Sequence, residues 1–149
     1  LTGFDQLGYV SSDGLTNSQE SGDGIEAWGG DIVLQTDRTD SFTFTLIESS
    51  NANVLKAVYG EDNVESITVD TATETKVSVS KDDYTTSAWV FDMLLKGGRK
   101  KRIVVPSGVI TSIDTINYVG DDAVGYAITI RCDEDSNGNT HYEYISEAE

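Results

Sequence analysis

Ser41-Phe42-Thr43-Phe44-Thr45-Leu46 alternates bulky apolar residues with hydroxyls. Successive side chains of a strand point to opposite faces. Phe42, Phe44 and Leu46 therefore share one face, and Ser41, Thr43 and Thr45 the other. Alternation of this kind predicts a strand of an antiparallel sheet with one face in a core and one in water. The residues just upstream extend the pattern. In Asp31 to Asp37, Ile32 and Leu34 share a face, while Asp31, Val33 and Gln35 share the other. The polar stretch Asp37 to Asp40 supplies a turn, so the two segments predict a β-hairpin.

Downstream, Ser50 or Asn51 can cap a helix whose apolar stripe is Val54, Leu55 and Val58, with Gly60 as a left-handed stop. A helix of about nine residues is too short to stand alone, so the stripe must pack on the sheet. Further strands are predicted at Val64 to Asp70, Lys76 to Lys81 and Ser87 to Leu95. In the last, Trp89, Phe91, Met93 and Leu95 face a core. Ala88, Val90 and Leu94 make the opposite face apolar too, except at Asp92. That strand is either central or laid against a neighbouring subunit. Gly97-Gly98 is a turn, and Arg102 to Val105 runs to Pro106. Val109 to Tyr118 and Val124 to Cys132 follow, joined by a turn at Gly120-Asp121-Asp122, and Thr140 to Ile145 is a last strand. The expected class is mainly β, an antiparallel β-sandwich or barrel with one short flanking α-helix. Val, Ile and Thr together number 41 and proline is single, a composition suited to pleated surfaces.

Upstream the pattern loosens. Gln6 to Val10 has the makings of a short strand. Ser11 to Gly30 is rich in Ser, Gly, Asp and Asn, and is longer than a routine connection. Ile25 and Trp28 lie within it, and apolar residues in an otherwise polar arm point to a bound segment rather than a disordered one. A chain of 149 residues suits a single domain over 1–149, with 1–30 as an N-terminal strand plus an extended interaction loop. The chain begins at Leu1, so either an initiator methionine has been removed or the numbering omits a few residues.

The formal net charge of −16 opposes tight binding to nucleic-acid phosphates and to anionic membranes. No stretch is apolar for long enough to span a bilayer, and no secretory signal is visible. Cys132 is the only cysteine, so an internal disulfide is impossible, and it reads as a small buried hydrophobe on a strand. His141 is the only histidine, lies in a polar turn region and has no evident triad. Asp133-Glu134-Asp135-Ser136-Asn137-Gly138-Asn139 resembles the start of a calcium loop, but position twelve is Tyr144 and no flanking helices are predicted. Asn137-Gly138 is itself a hairpin-turn signal, and a plain turn is favoured over a metal site. Lys96, Arg99, Lys100, Lys101 and Arg102 hold half of the ten basic residues. A nucleic-acid patch, a solvated strand end and a self-association surface all remain open. The last is favoured, because a positive patch complements the acidic remainder of the same chain. No cofactor is expected, and no residue constellation singles out an enzyme.

Leu1-Thr2-Gly3-Phe4-Asp5, Gly8-Tyr9-Val10, Asp13-Gly14-Leu15-Thr16-Asn17, Ala27-Trp28-Gly29-Gly30-Asp31, Phe42 to Glu48, Trp89 to Gly98 and Arg102 to Pro106 recur in order along the chain. Together these blocks resemble major tail tube proteins of long-tailed, siphovirus-type bacteriophages of actinobacteria. The stretch Val64 to Thr86 matches less clearly. The resemblance implies hexameric rings stacked into a tube that passes the genome, in a virion built in the bacterial host cytoplasm. It also implies tape measure, tail terminator and distal tail proteins as partners. DNA moving through such a tube must not stick, so acidic and small polar side chains suit the lumen. The candidates are Asp31, Gln35, Asp37, Thr43, Thr45, Asp114 and Thr129. Inter-subunit candidates are Ile25, Trp28, Lys96, Arg99, Lys100, Lys101 and Arg102. The alternative is a carbohydrate- or protein-binding β-module on a virion or cell surface, with Trp28, Tyr84, Tyr142 and Tyr144 as its aromatic cluster.

Overall fold

A computed structural model describes residues 2–21, 25–26, 33–34, 38–120 and 124–147. Expectations for Trp28, Asp31, Ile32, Gln35 and Asp37, and for the turn at Asp121-Asp122, lie outside these residues. For Ile25 only its strand is described.

The chain is mainly β and antiparallel with one short α-helix, as expected. The strands are β1 (Thr16–Ser21), β2 (Ile25–Glu26), β3 (Val33–Leu34), β4 (Arg38–Leu46), β5 (Val64–Val69), β6 (Ala72–Val77), β7 (Thr86–Leu94), β8 (Lys100–Ile113), β9 (Tyr126–Cys132) and β10 (Tyr142–Ile145). The helix α1 spans Ala52–Tyr59. A six-stranded sheet runs β1-β4-β9-β8-β10, with β7 also paired to β8. β2 pairs with β3, and β5 with β6, as separate two-stranded sheets.

Contacts group the residues into two units. The first comprises residues 1–16, 43–85 and 110–129. Its buried side chains include Phe44, Leu46, Val54, Leu55, Val58, Val64, Ile110, Tyr126 and Ile128. The Asn51 side chain caps α1 by accepting from the Asn53 N–H at 3.0 Å, and Val54, Leu55 and Val58 are the buried stripe. Gly60 stops the helix at φ 96° and ψ 145°, so it is extended with positive φ and not the left-handed helical cap expected. The second unit comprises residues 17–42, 86–109 and 130–149, with Phe42, Trp89, Ile103, Val105, Ile130 and Cys132 buried.

Several sequence expectations are corrected. Among the described residues no hairpin joins Val33–Leu34 to Ser41–Leu46, since β3 pairs with β2 and β4 lies between β1 and β9. Alternation fixed the buried face of β4 but carried no information on its neighbour. β1 escaped notice because it is wholly polar. It is held by side chains: Asn17 Nδ2 donates to Asp40 Oδ1 at 2.8 Å and to the Ser41 carbonyl at 3.0 Å, and Arg38 donates to Gln19 at 2.8 Å. Part of the presumed interaction arm is thus a strand of the chain's own sheet. Gln6 to Val10 is not a strand, and only Val10 bridges, to Leu46. The strand expected at Lys76 to Lys81 starts earlier, at Ala72, because Asp70 turns the chain at φ 55°. β8 ends at Ile113 rather than Tyr118.

Pro106 does not end a strand either. β8 runs straight through it, because the register with β7 shifts there: Val105 faces Trp89 and Gly108 faces Ser87, so Pro106 and Ser107 together oppose Ala88. A bulge absorbs the proline's missing donor. Gly108 completes the device. An added Cβ would lie 2.6 Å from Trp89 Cδ1, so only glycine lets the indole close over β8, with Nε1 3.4 Å from the Gly108 carbonyl.

Candidate functional site

Three polar clusters stand out. The first lies on the solvent face of β4, opposite Phe42 and Phe44. Thr43 is exposed, Thr45 and Thr129 are half-buried, and the Thr43 and Thr129 hydroxyls share a hydrogen bond of 3.0 Å. Thr111 donates to the Thr129 carbonyl at 3.3 Å. Strands β4, β9 and β8 thus present a row of hydroxyls, with Arg131 on the same face of β9, where Asp133 takes its guanidinium at 2.8 Å. Asp114, just past β8, is exposed, and its N–H bonds the Ala127 carbonyl at 2.9 Å. The structure therefore brings Thr43 and Thr129 together and leaves Asp114 beyond the end of the strand.

The second cluster is the basic run at the β7–β8 turn. The Leu95 N–H meets the Arg99 carbonyl at 2.7 Å, and Gly97 and Gly98 both take positive φ. The run is not uniformly available. Arg102 forks onto Asp92 at 2.6 and 2.7 Å, and Lys101 pairs with Glu143 at 2.8 Å. The Arg102 fork holds the Asp92 carboxyl below the usual carboxylate range. Lys96, Arg99 and Lys100 are exposed, with no ion pair among the described residues. β7 is less covered than expected. Trp89 is buried and Phe91 and Met93 are half-buried, but on the other face Ala88 is exposed and Leu94 is 74% exposed. Two-sided burial overlooked that, among the described residues, β7 pairs with β8 alone.

Sequence reasoning missed the third cluster. Asp40 is only 6% exposed and receives Asn17 at 2.8 Å, Thr140 at 2.6 Å and His141 Nδ1. Burial alone would raise its carboxyl, but the bonds from Thr140, Asn17 and His141 outweigh it and hold the pKa below 3.8. The His141 ring meets Phe42 edge-on, with centroids 5.1 Å apart. The partners lie a hundred residues apart in sequence, so no local pattern signals them. Next to this cluster, burial, followed by the charges of Asp40 and Asp133, pushes the Cys132 thiol up to about 12.

The acidic segment at 133–139 makes a turn. Asp135 accepts from the N–H groups of Asn137 and Asn139 at 2.8 and 3.0 Å and from the Tyr142 hydroxyl. Its carboxylate is spent on the turn itself, and one of the aromatic residues offered for a binding module is spent with it.

Each cluster ties strands of the antiparallel β-fold together. The sequence model of one family, described as phage tail tube protein, matches residues 1–149. The chain belongs to that family. No curated protein gives a significant match.

Proposed function

We propose that this chain is the repeating subunit of a phage tail tube, assembling as stacked hexameric rings around a conduit for the ejected genome. The family match over the whole chain carries this reading. The hydroxyl row of Thr43, Thr129 and Thr111 supports it, and Thr45 and Asp114 extend the same lumen assignment. Hydroxyls offer DNA phosphates no cationic grip, and a −16 chain repels them at longer range. Asp31, Gln35 and Asp37 are assigned to the lumen on the resemblance alone. Ile25 and Trp28 of the N-terminal arm, with Lys96, Arg99 and Lys100, are assigned to contacts between subunits. Lys101 and Arg102 act within the chain, holding β10 and β7 to β8. The role is structural rather than catalytic. Tape measure, terminator and distal tail proteins are the partners at the tube's interior and ends, and the destination is the virion after synthesis in the host cytoplasm. Negative-stain electron microscopy of concentrated purified protein tests the reading. Rings or tubes are the expected outcome, and a protein that stays monomeric over a wide range of concentration and salt refutes it.

A further inference from the structure

The β5–β6 hairpin stands out for what it lacks. Its six cross-strand pairs run from Val64↔Val77 to Val69↔Ala72, and among the described residues β5 and β6 pair only with each other. A two-stranded hairpin is at best marginally stable alone in water. The root is anchored: Val64 is buried, Val77 is half-buried, and the Ser78 N–H bonds the Asn63 carbonyl at 2.8 Å. Beyond the root nearly every residue is exposed. The register divides the outer part into two unlike faces. Thr68 and Thr73 lie on one. Ile67, Val69, Ala72 and Glu74 lie on the other, and Val69 is 44% exposed. Glu65 on that face is taken by Lys76 at 2.6 Å, which leaves Glu74 as its free charge among the described residues.

The β7–β8 turn has the complementary character. Leu94 stands directly opposite Lys100 on one face of the sheet and is 74% exposed. On the same face Arg102 is already satisfied by Asp92, whereas Lys100 has no ion pair among the described residues. One element thus offers an aliphatic patch with an unpaired anion, and the other an aliphatic side chain with an unpaired cation.

We infer that the β5–β6 hairpin of one copy docks on the β7–β8 turn of a second copy, with Val69 against Leu94 and Glu74 against Lys100. This rests on the tube reading and names one of its contacts. An apolar centre with a charge pair at its rim is a common interface anatomy. Contact with a second copy would also cover the outer hairpin residues that stand exposed on their own chain.

Full-length single variants Glu74→Lys and Lys100→Glu test it beside their combination, by sedimentation of the assembled fraction. Both sites are exposed, and circular dichroism checks that each variant folds. Each single variant is expected to lower the assembled fraction at least tenfold, and the double variant to restore it to within about threefold of wild type. A second measurement is independent of assembly yield. Glu74→Cys and Lys100→Cys chains, mixed and oxidised, should give disulfide-linked dimers well above either chain alone. Wild-type tubes, with single variants that assemble normally and no mixed dimer, overturn the contact and leave the tube reading intact. Wild-type protein that never assembles overturns both.

Discussion

Asp40 shows how much one side chain can carry. Its folded pKa lies below 3.8, so the folded state holds the ionised form more tightly than the unfolded chain does. The resulting stabilisation is complete above 3.8 and fades as pH falls through the lower folded value. Asp40→Asn places an amide among donors and leaves at least one buried partner unmatched. It should cost about 1–3 kcal/mol near neutral pH. It should also flatten the loss of stability below pH 3.8, and urea unfolding across the acid range reads both effects. Gly108 is the steric counterpart. Gly108→Ala would set a methyl 2.6 Å from Trp89 Cδ1 and 3.3 Å from Val105 Cγ1. Overpacking of that kind costs about 1–3 kcal/mol. Chemical denaturation followed by tryptophan emission should show the loss together with a changed folded-state spectrum, and an unchanged midpoint would mean that the indole yields freely.

At the level of elements, legibility followed locality. The face of β4, the cap and stripe of α1 and the Gly97-Gly98 turn each depend on residues within a few positions, and each was readable. The Asp92–Arg102 fork was readable in principle too. A hairpin folded at Gly97 places residues five before and five after it in register, and opposite charges stand there. β1 was missed because all its side chains are polar, so no apolar alternation marks it. Pro106 misled because its missing donor is tolerated by a shift in the partner strand, which the proline's own neighbours do not announce. The Asp40–Thr140–His141 association is long-range, and no periodicity encodes it. The hydroxyl row was only half visible: alternation put Thr43 on the solvent face, whereas its meeting with Thr129 depends on β4 and β9 being neighbours. The elements also differ in what they should tolerate. Asn51→Ala should cost about 1 kcal/mol through the lost cap. Phe44→Ala, at 2% exposure, should cost about 3–5 kcal/mol by opening a cavity. Thermal and urea unfolding of the two variants should rank them in that order.

For the whole molecule the governing quantity is charge. Bringing copies of a −16 chain together raises a repulsion that assembly must overcome. Repulsion among many separated charges is screened early, as the Debye length shrinks from about 30 Å at 0.01 M salt to about 10 Å at 0.1 M. Close pairs at a partly dry contact are screened less. Assembly should therefore improve from low to moderate salt, and light scattering across a salt series reads it directly. A steady decline from the lowest salt upward would instead make attraction between charges the main driving force. The single thiol has its own bearing on such an object. A tube of many identical copies that meets air outside the cell would, with exposed thiols, cross-link at random and lose its regular lattice. Cys132 is 5% exposed, and its thiol is pushed up to about 12, so at neutral pH almost none of the nucleophilic thiolate exists. Its reaction with a disulfide reagent should wait for the protein to open, which makes the cysteine a built-in clock for how often a subunit, free or within an assembly, comes apart.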